Sequence, residues 1–387
     1  MNPNIGKLLA VDEGLNHQIV DTFATVVESD LSWTEKIWLS IPRKDGALQI
    51  DFGLGRYQNR NVMDGFAGIS RGNEQWTVRA SRELAEAPTK TAVGPLTYEV
   101  VEPLSKVRVR LDRNDVLPLT FDVTFEKRLP PYFEDRHAQR DEHGFRMVSN
   151  VVRYHQGGTV SGWVEIDGKR QEVRPDEWFA FRDHSWGVRL DVGAPAPDLR
   201  PARDFGDRAM GESSFLLHWT PLMLERPDGT RYEYHYYLQM RGGRPFYFSG
   251  YLNHSDGTQE RVGRVRPKLV YDDRTRRPRK GVIHYDMLDG QTHTVEVEAV
   301  SDSGFYLGTA LYLGFDGKKH GMWRGKLAID GERVANTADD ATLRRIHQLR
   351  DSIFRVREGD ASGYGIFESV ATGAWPDLGL SAEASFL

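Results

Sequence analysis

The chain contains no cysteine. That absence excludes disulfides, thiolate nucleophiles, iron–sulfur clusters and Cys-ligated zinc. Long apolar runs are also missing. Nowhere do ~18 apolar residues follow one another, so no membrane-spanning helix is expected. Excess charge of one sign is absent too. Lys and Arg number 51 against 56 Asp and Glu, a net charge of -5, which argues against a nucleic-acid partner. The segment Met1–Glu13 carries one lysine and only a short apolar patch, Leu8–Val11. It is not patterned as a signal peptide, and the cytoplasm is the expected compartment. Helical periodicity is scarce. The best stretch is Asp339–Arg350, with Leu343, Ile346 and Leu349 on one stripe, and a weaker one lies near Asp12–Glu28. Without strands alternating with long helices, a doubly wound α/β fold is disfavoured.

Several catalytic signatures fail. Gly68-Ile69-Ser70-Arg71-Gly72 fits G-x-S-x-G, but polar and small residues precede it and a strand-like segment, Trp76–Glu83, follows. A nucleophile elbow needs a buried strand before it and a helix after it. Gly53-Leu54-Gly55 lacks the third glycine of a dinucleotide fingerprint, and no P-loop or H-E-x-x-H occurs. The 12 histidines are scattered with no familiar metal spacing. Nothing local argues for a metal, although residues distant in sequence could build one, and neither a metal nor a cofactor is expected.

What the chain does have is aromatic residues, glycine and alternation. There are 9 Trp, 15 Tyr, 18 Phe and 38 Gly, a balance suited to short strands joined by tight turns. Val107, Val109 and Leu111 alternate with polar neighbours, as do Leu119, Phe121, Val123 and Phe125. Both segments read as half-buried antiparallel strands. Val160, Val164 and Ile166 lead into the turn pair Asp167-Gly168, and Gly242-Gly243, Asp316-Gly317 and Asp330-Gly331 are further hairpin signals. With 387 residues, the chain exceeds the ~250–300 that one core usually supports. Two domains are expected, residues 1–180 and 181–387. Gly193–Met210 reads as a long loop, and the basic stretch 261–280 as a solvated hairpin.

Four polar-aromatic clusters stand out. In Phe181–Arg189, an extended chain puts Arg182, His184 and Trp186 on one side and Asp183 and Ser185 on the other. An imidazole beside an indole in a dry pocket suits acid/base work; the alternative is a structural hydrogen-bond knot. In Ser362–Glu368, Tyr364, Ile366 and Glu368 share a face. A carboxylate there must be paired or used, and a raised pKa would make it a proton donor. In Tyr232–Met240, His235, Tyr237 and Gln239 share a face and Tyr232, Tyr234 and Tyr236 the other, with Glu212, His218 and Trp219 just before. His320, Trp323 and Arg324 form the fourth.

At Asp183-His184-Ser185-Trp186-Gly187 the sequence resembles the D-H-x-W-G motif of the carotenoid 1,2-hydratase family. Gly363–Glu368 with Gly373 is similar to the glycine–aromatic–x–Glu ending of the same superfamily. The stretch from Gly94-Pro95-Leu96 to Arg189 resembles bacterial lipocalin-like proteins that share an R-D-H-S-W-G core. These groups belong with the AttH-like, tocopherol-cyclase-like and fungal Diels–Alderase-like proteins. The resemblance implies an all-β fold of two lipocalin-like antiparallel barrels with a few short helices. It implies cofactor-independent chemistry on a hydrophobic small molecule, with His184 and Trp186 in the site. The hydratases also use a Tyr and an Asp shortly downstream; Met210–Phe215 offers only Glu212. The catalytic candidates are thus Asp183, His184, Glu212 and Glu368, and the binding candidates Trp186, His218, Tyr237, Trp323 and Tyr364. The expected function is a lyase, hydratase or isomerase acting on an aromatic or terpenoid compound between two barrels. The alternatives are a carrier without chemistry and a hydrolase using Ser70 or Ser185. Homo-oligomerisation is left open.

Overall fold

The computed structural model describes residues 13–15, 28–141, 144–194, 198, 214–383 and 385. The first half is a 14-stranded antiparallel sheet. Its main path runs from Leu327–Val334 through Glu74–Glu83, Val62–Arg71 and Gln49–Tyr57 to Trp33–Pro42. It continues through Ala180–Val188, Met147–Ile166, Leu119–Lys127 and Lys106–Leu111 to Leu96–Glu102 and Ala92–Val93. The sheet curls round one core that joins Phe52 and Ile69 from one end to Val109 and Phe121 from the other. The alternation read in 107–111 and 119–125 is the cause: each of these apolar residues is buried in that core.

The second half is a closed eight-stranded barrel, built from Phe215–Glu225, Arg231–Arg241, Arg244–His254, Gln259–Tyr271, Pro278–Met287, Thr292–Tyr306, Arg350–Glu358 and Ala361–Thr372. Leu222, Tyr234, Tyr236, Ile283, Val295 and Phe354 fill it. Gly242-Gly243 makes the expected tight hairpin with positive φ at both residues. The basic stretch 261–280 is a hairpin of this barrel, but Arg276 and Arg277 at its turn are buried. The expected helix at 339–350 is shorter, Asp340–Ile346, capped by the Asp339 side chain accepting from Thr342 N. The candidate near Asp12–Glu28 and most of the 193–210 loop lie outside the described residues. No helix among the described residues is long and apolar enough to cross a membrane.

One expected hairpin is absent. Asp330-Gly331 is no hairpin; it lies inside Leu327–Val334, which pairs with Glu74–Glu83 and so returns the chain to the first sheet. Gly331 fits there because a Cβ would collide with the Thr77 carbonyl oxygen. Ala180–Val188 is hydrogen-bonded on both sides to first-sheet strands. We therefore propose that the halves divide after Val188 rather than at residue 180.

The halves meet through their outer faces. Trp38, Phe66 and Phe181 pack with Trp219, Phe305, Ile353 and Ile366 in one continuous cluster. At ~1.5–3 kcal/mol per large apolar side chain buried, this junction holds the halves as a unit. Close strand approach is written into Gly363, whose added Cβ would fall on the Met223 carbonyl oxygen. Gly363→Ala is expected to cost at least ~1–3 kcal/mol, because backbone rather than a side chain must yield. Urea unfolding of wild type and variant measures it; an unchanged midpoint would contradict this packing.

Candidate active site

A cavity of about 680 Å³ opens between the halves. Period-two alternation puts the walls there. On Trp33–Pro42, Ile37, Leu39 and Ile41 enter the first core, so Lys36 and Trp38 face the junction. On Ala180–Val188 the same rule sends Asp183 and Ser185 to the cavity, and on Met147–Ile166 it sends Arg153. From the barrel come Leu217 and Trp219, Tyr237 and Gln239, and Glu368 and Val370, each pair two residues apart on one strand.

The walls are aromatic. Trp38 and Trp219 meet edge to face at 5.3 Å, across the junction. Set among them is a charge network. Arg153 pairs with Asp183 at 2.9 Å and with Glu134 at 3.3 Å, and its guanidinium lies 5.6 Å from the Tyr237 ring centre. Burial alone would weaken its hold on a proton, but the Glu134 and Asp183 carboxylates outweigh that, so Arg153 is a fixed cation. Gln239 donates to the Tyr237 hydroxyl at 2.5 Å.

Glu368 is the unusual acid. Its strand partners are Trp219 on one side and Asp351 on the other. Burial pushes its carboxyl up to about 7; Arg153 pulls it down, while Asp183 and Glu134 push it up again. Asp351 is raised as well, by burial and then by Glu368. Glu368 is thus a carboxylic acid that keeps its proton close to neutral pH. Lys36 is its counterpart. Burial, then Arg189, lowers its ammonium to about 7, and its nitrogen sits 3.9 Å from the Tyr312 ring centre. The cavity therefore holds a proton donor, a group that can accept a proton, a cation and aromatic faces.

Of the residues singled out from sequence, the structure brings Asp183, Glu368 and Tyr237 together in this cavity. His184 and Trp186 lie on the opposite face of their strand. His184 is fully buried, with Nδ1 3.2 Å from the Tyr154 hydroxyl and Nε2 3.0 Å from Glu35 Oε1. Trp186 packs edge-on to His184 and Phe133. His218 points into the second barrel between the Tyr236 and Tyr271 hydroxyls, and burial lowers it to about 3. Tyr364 shares the Glu368 face but stacks on Phe179, further along the junction. Trp323 is 55% exposed on the outside. Glu212 lies outside the described residues. Ser70 sits within Val62–Arg71 and accepts from Gly304 N, and a hairpin follows it, so no elbow forms. Ser185 lines the cavity and accepts from Arg189 at 2.6 Å.

Sequence reasoning missed Lys36, Trp38, Glu134 and Arg153. For the first two a signal existed. The strand Trp33–Pro42 carries Ile37, Leu39 and Ile41 on one face and Trp38 on the other, which announces that both faces are covered.

The sequence matches, over residues 8–381, the model of a family of unknown function, DUF8625. No curated protein matches it. Among solved structures, the AttH-like protein NE1406 from Nitrosomonas europaea superposes with a TM-score of 0.50 at 11% identity, over 87% of this chain and 92% of that one. Kievitone hydratase from Nectria haematococca gives 0.42 at 13% identity, over 87% and 88%. CghA gives 0.47 at 10% identity, over 90% of each chain. The chain belongs to the DUF8625 family and has the double lipocalin-like fold of the AttH-like proteins.

Proposed function

We propose that the chain is an acid/base enzyme, a lyase, hydratase or isomerase, acting on a hydrophobic small molecule held between the two halves. The observation that carries this reading is Glu368: a buried carboxylic acid with a pKa of about 7 on the wall of a 680 Å³ aromatic cavity. Glu368 protonates the substrate, because a neutral acid near working pH is the best general acid a carboxyl can be. Asp183, paired with Arg153 at 2.9 Å, is the acceptor on the other wall, with Lys36, lowered to about 7, a second acceptor. Arg153 and the Trp38, Trp219 and Tyr237 rings stabilise the charge that develops, anionic or cationic respectively. His184, assigned a role through the motif resemblance, acts in this reading as a positioning residue inside the first barrel.

The test is product detection by mass spectrometry. Wild type and Glu368→Gln are each incubated, without added cofactor, with a pooled library of terpenoids, sterols and plant aromatics. A mass change or isomer shift with wild type, lost in the variant, is expected. A compound retained unchanged by both proteins would overturn the catalytic reading in favour of a carrier.

A further inference from the structure

Behind the cavity wall three side chains converge from three separate places in the chain. Glu134 follows the short strand Tyr132–Phe133, His155 belongs to Met147–Ile166 of the first sheet, and His235 to Arg231–Arg241 of the barrel. Glu134 is 2% exposed and the two histidines are fully buried. We propose that they bind a divalent transition-metal ion, and that this ion fastens the two halves together.

The geometry is the first argument. One ring nitrogen from each of His155 and His235 and one carboxylate oxygen of Glu134 lie within 4.8 Å of one another. Glu134 Oε1 is 3.5 Å from His235 Nε2 and 3.9 Å from His155 Nδ1. Ligand atoms on a tetrahedral ion with bonds of ~2.0–2.1 Å stand about 3.3 Å apart. The Glu134–His235 gap is close to that spacing and the Glu134–His155 gap about 0.6 Å wider, so side-chain adjustments of up to about an ångström close this set on an ion.

Unsatisfied nitrogen is the second. Neither ring nitrogen of His235, nor Nδ1 of His155, has a hydrogen-bond partner among the described residues. A buried imidazole with two idle nitrogens is costly in free energy, and coordination removes that cost.

The outer contacts are the third. His155 Nε2 lies 2.6 Å from Glu233 Oε1; with the Nε2 proton donated to that carboxylate, loss of the Nδ1 proton on metal binding frees the Nδ1 lone pair as a ligand. Glu134 Oε1 receives the Trp219 indole N–H at 2.6 Å, which fixes its carboxylate in place. Two imidazoles and one carboxylate suit zinc and its first-row neighbours rather than calcium or magnesium. Only Glu134 of the three reaches the cavity, so the ion sits to one side of the proposed chemistry and holds one of its walls.

The experiment uses untagged full-length protein, purified without chelator from cells grown with added zinc, iron and manganese, and analysed for all first-row metals. About one ion per chain is expected, with loss of about tenfold or more in His235→Ala. In case that variant does not fold, wild type is stripped by unfolding in chelator and refolded with Co2+, whose visible absorption reports nitrogen and oxygen ligands directly. Glu233→Gln, which leaves all three ligands intact, is expected to weaken Co2+ binding ~10–100-fold. A purified protein without stoichiometric metal that also refolds without taking up Co2+ would overturn the proposal. It would leave a proton, shared between the histidines and the two glutamates, in place of the ion. Neither outcome depends on whether the cavity is catalytic.

Discussion

Replacing Glu368 by glutamine is expected to make the protein more heat-stable at and above neutral pH while removing its turnover. The two effects have one cause. Glutamine copies the shape of a protonated glutamate but cannot ionise. The native carboxyl is raised from 4.5 to about 7, with burial the largest cause, so between those values the unfolded state releases a proton that the folded state keeps. A raised carboxyl pKa means that stability falls as pH rises through this window. Below about 4.5 the group is protonated in both states and wild type and variant should unfold alike; above about 7 the penalty is fully present. The variant is expected to gain about 1–3 kcal/mol at pH 8, a Tm increase of a few degrees, and nothing at pH 4. Removal of a general acid should slow turnover ~10²–10⁴-fold. In wild type, turnover that depends on the acid form declines as pH rises past about 7. Thermal melts at pH 4, 6 and 8 check the stability half. A variant less stable than wild type at pH 8 would mean that Glu368 is held as a charged carboxylate.

Inside the first barrel, breaking the pair of Glu13 and Arg182 is expected to be the most destabilising single change. Arg182 donates to Glu13 Oε1 at 2.6 Å and Oε2 at 2.9 Å, and twice to Gln156 Oε1. Glu13 also accepts from the Tyr98 and Tyr154 hydroxyls. Both charged residues are 1% exposed. Burial pushes the Glu13 carboxyl up, but the Arg182 charge and hydrogen bonds outweigh it and hold Glu13 below its usual range. The sign follows: the pair contributes stability above the ordinary carboxylate range and loses it as pH falls through the depressed value. Arg182→Met strands a carboxylate in a dry interior, at a cost of ~3–5 kcal/mol. Glu13→Gln added to Arg182→Met removes the stranded charge and should restore most of the loss. Denaturant unfolding of the two singles and the double measures the coupling. A double variant as unstable as the sum of the singles would show that the pair is not one unit.

These two sites differ in how far they could be read from sequence. Alternation alone placed Glu368 and Tyr237 on the faces they occupy and paired Asp183 with Ser185, because period two is a property of the strand itself. Which face looks inward is not such a property. His184 and Trp186 were assigned to the site through a shared motif, yet their strand turns them into the first barrel, and only the placement of neighbouring strands decides that. Lys36 reads as an ordinary surface charge until the second half covers it. Arg153 and Glu134 gain their roles from each other across 19 positions of chain. Glu134, His155 and His235 are further apart still and come from both halves, so no spacing rule could join them. The fold was legible for the opposite reason: turns such as Gly242-Gly243 and runs such as Leu119–Phe125 are local. Asp330-Gly331 misled because a close approach to Thr77, not a turn, requires that glycine.

The central claim is that Glu368 carries a proton near neutral pH in the cavity between the halves. Carbon-13 NMR of protein labelled at the glutamate side-chain carboxyl, titrated from pH 4 to 9 with Glu368→Gln to assign the resonance, tests it without knowledge of the substrate. The Glu368 signal is predicted to titrate around pH 7, buried and apart from the other glutamates. A signal that titrates below pH 5 would contradict the account, because the cavity would then hold no acid to give.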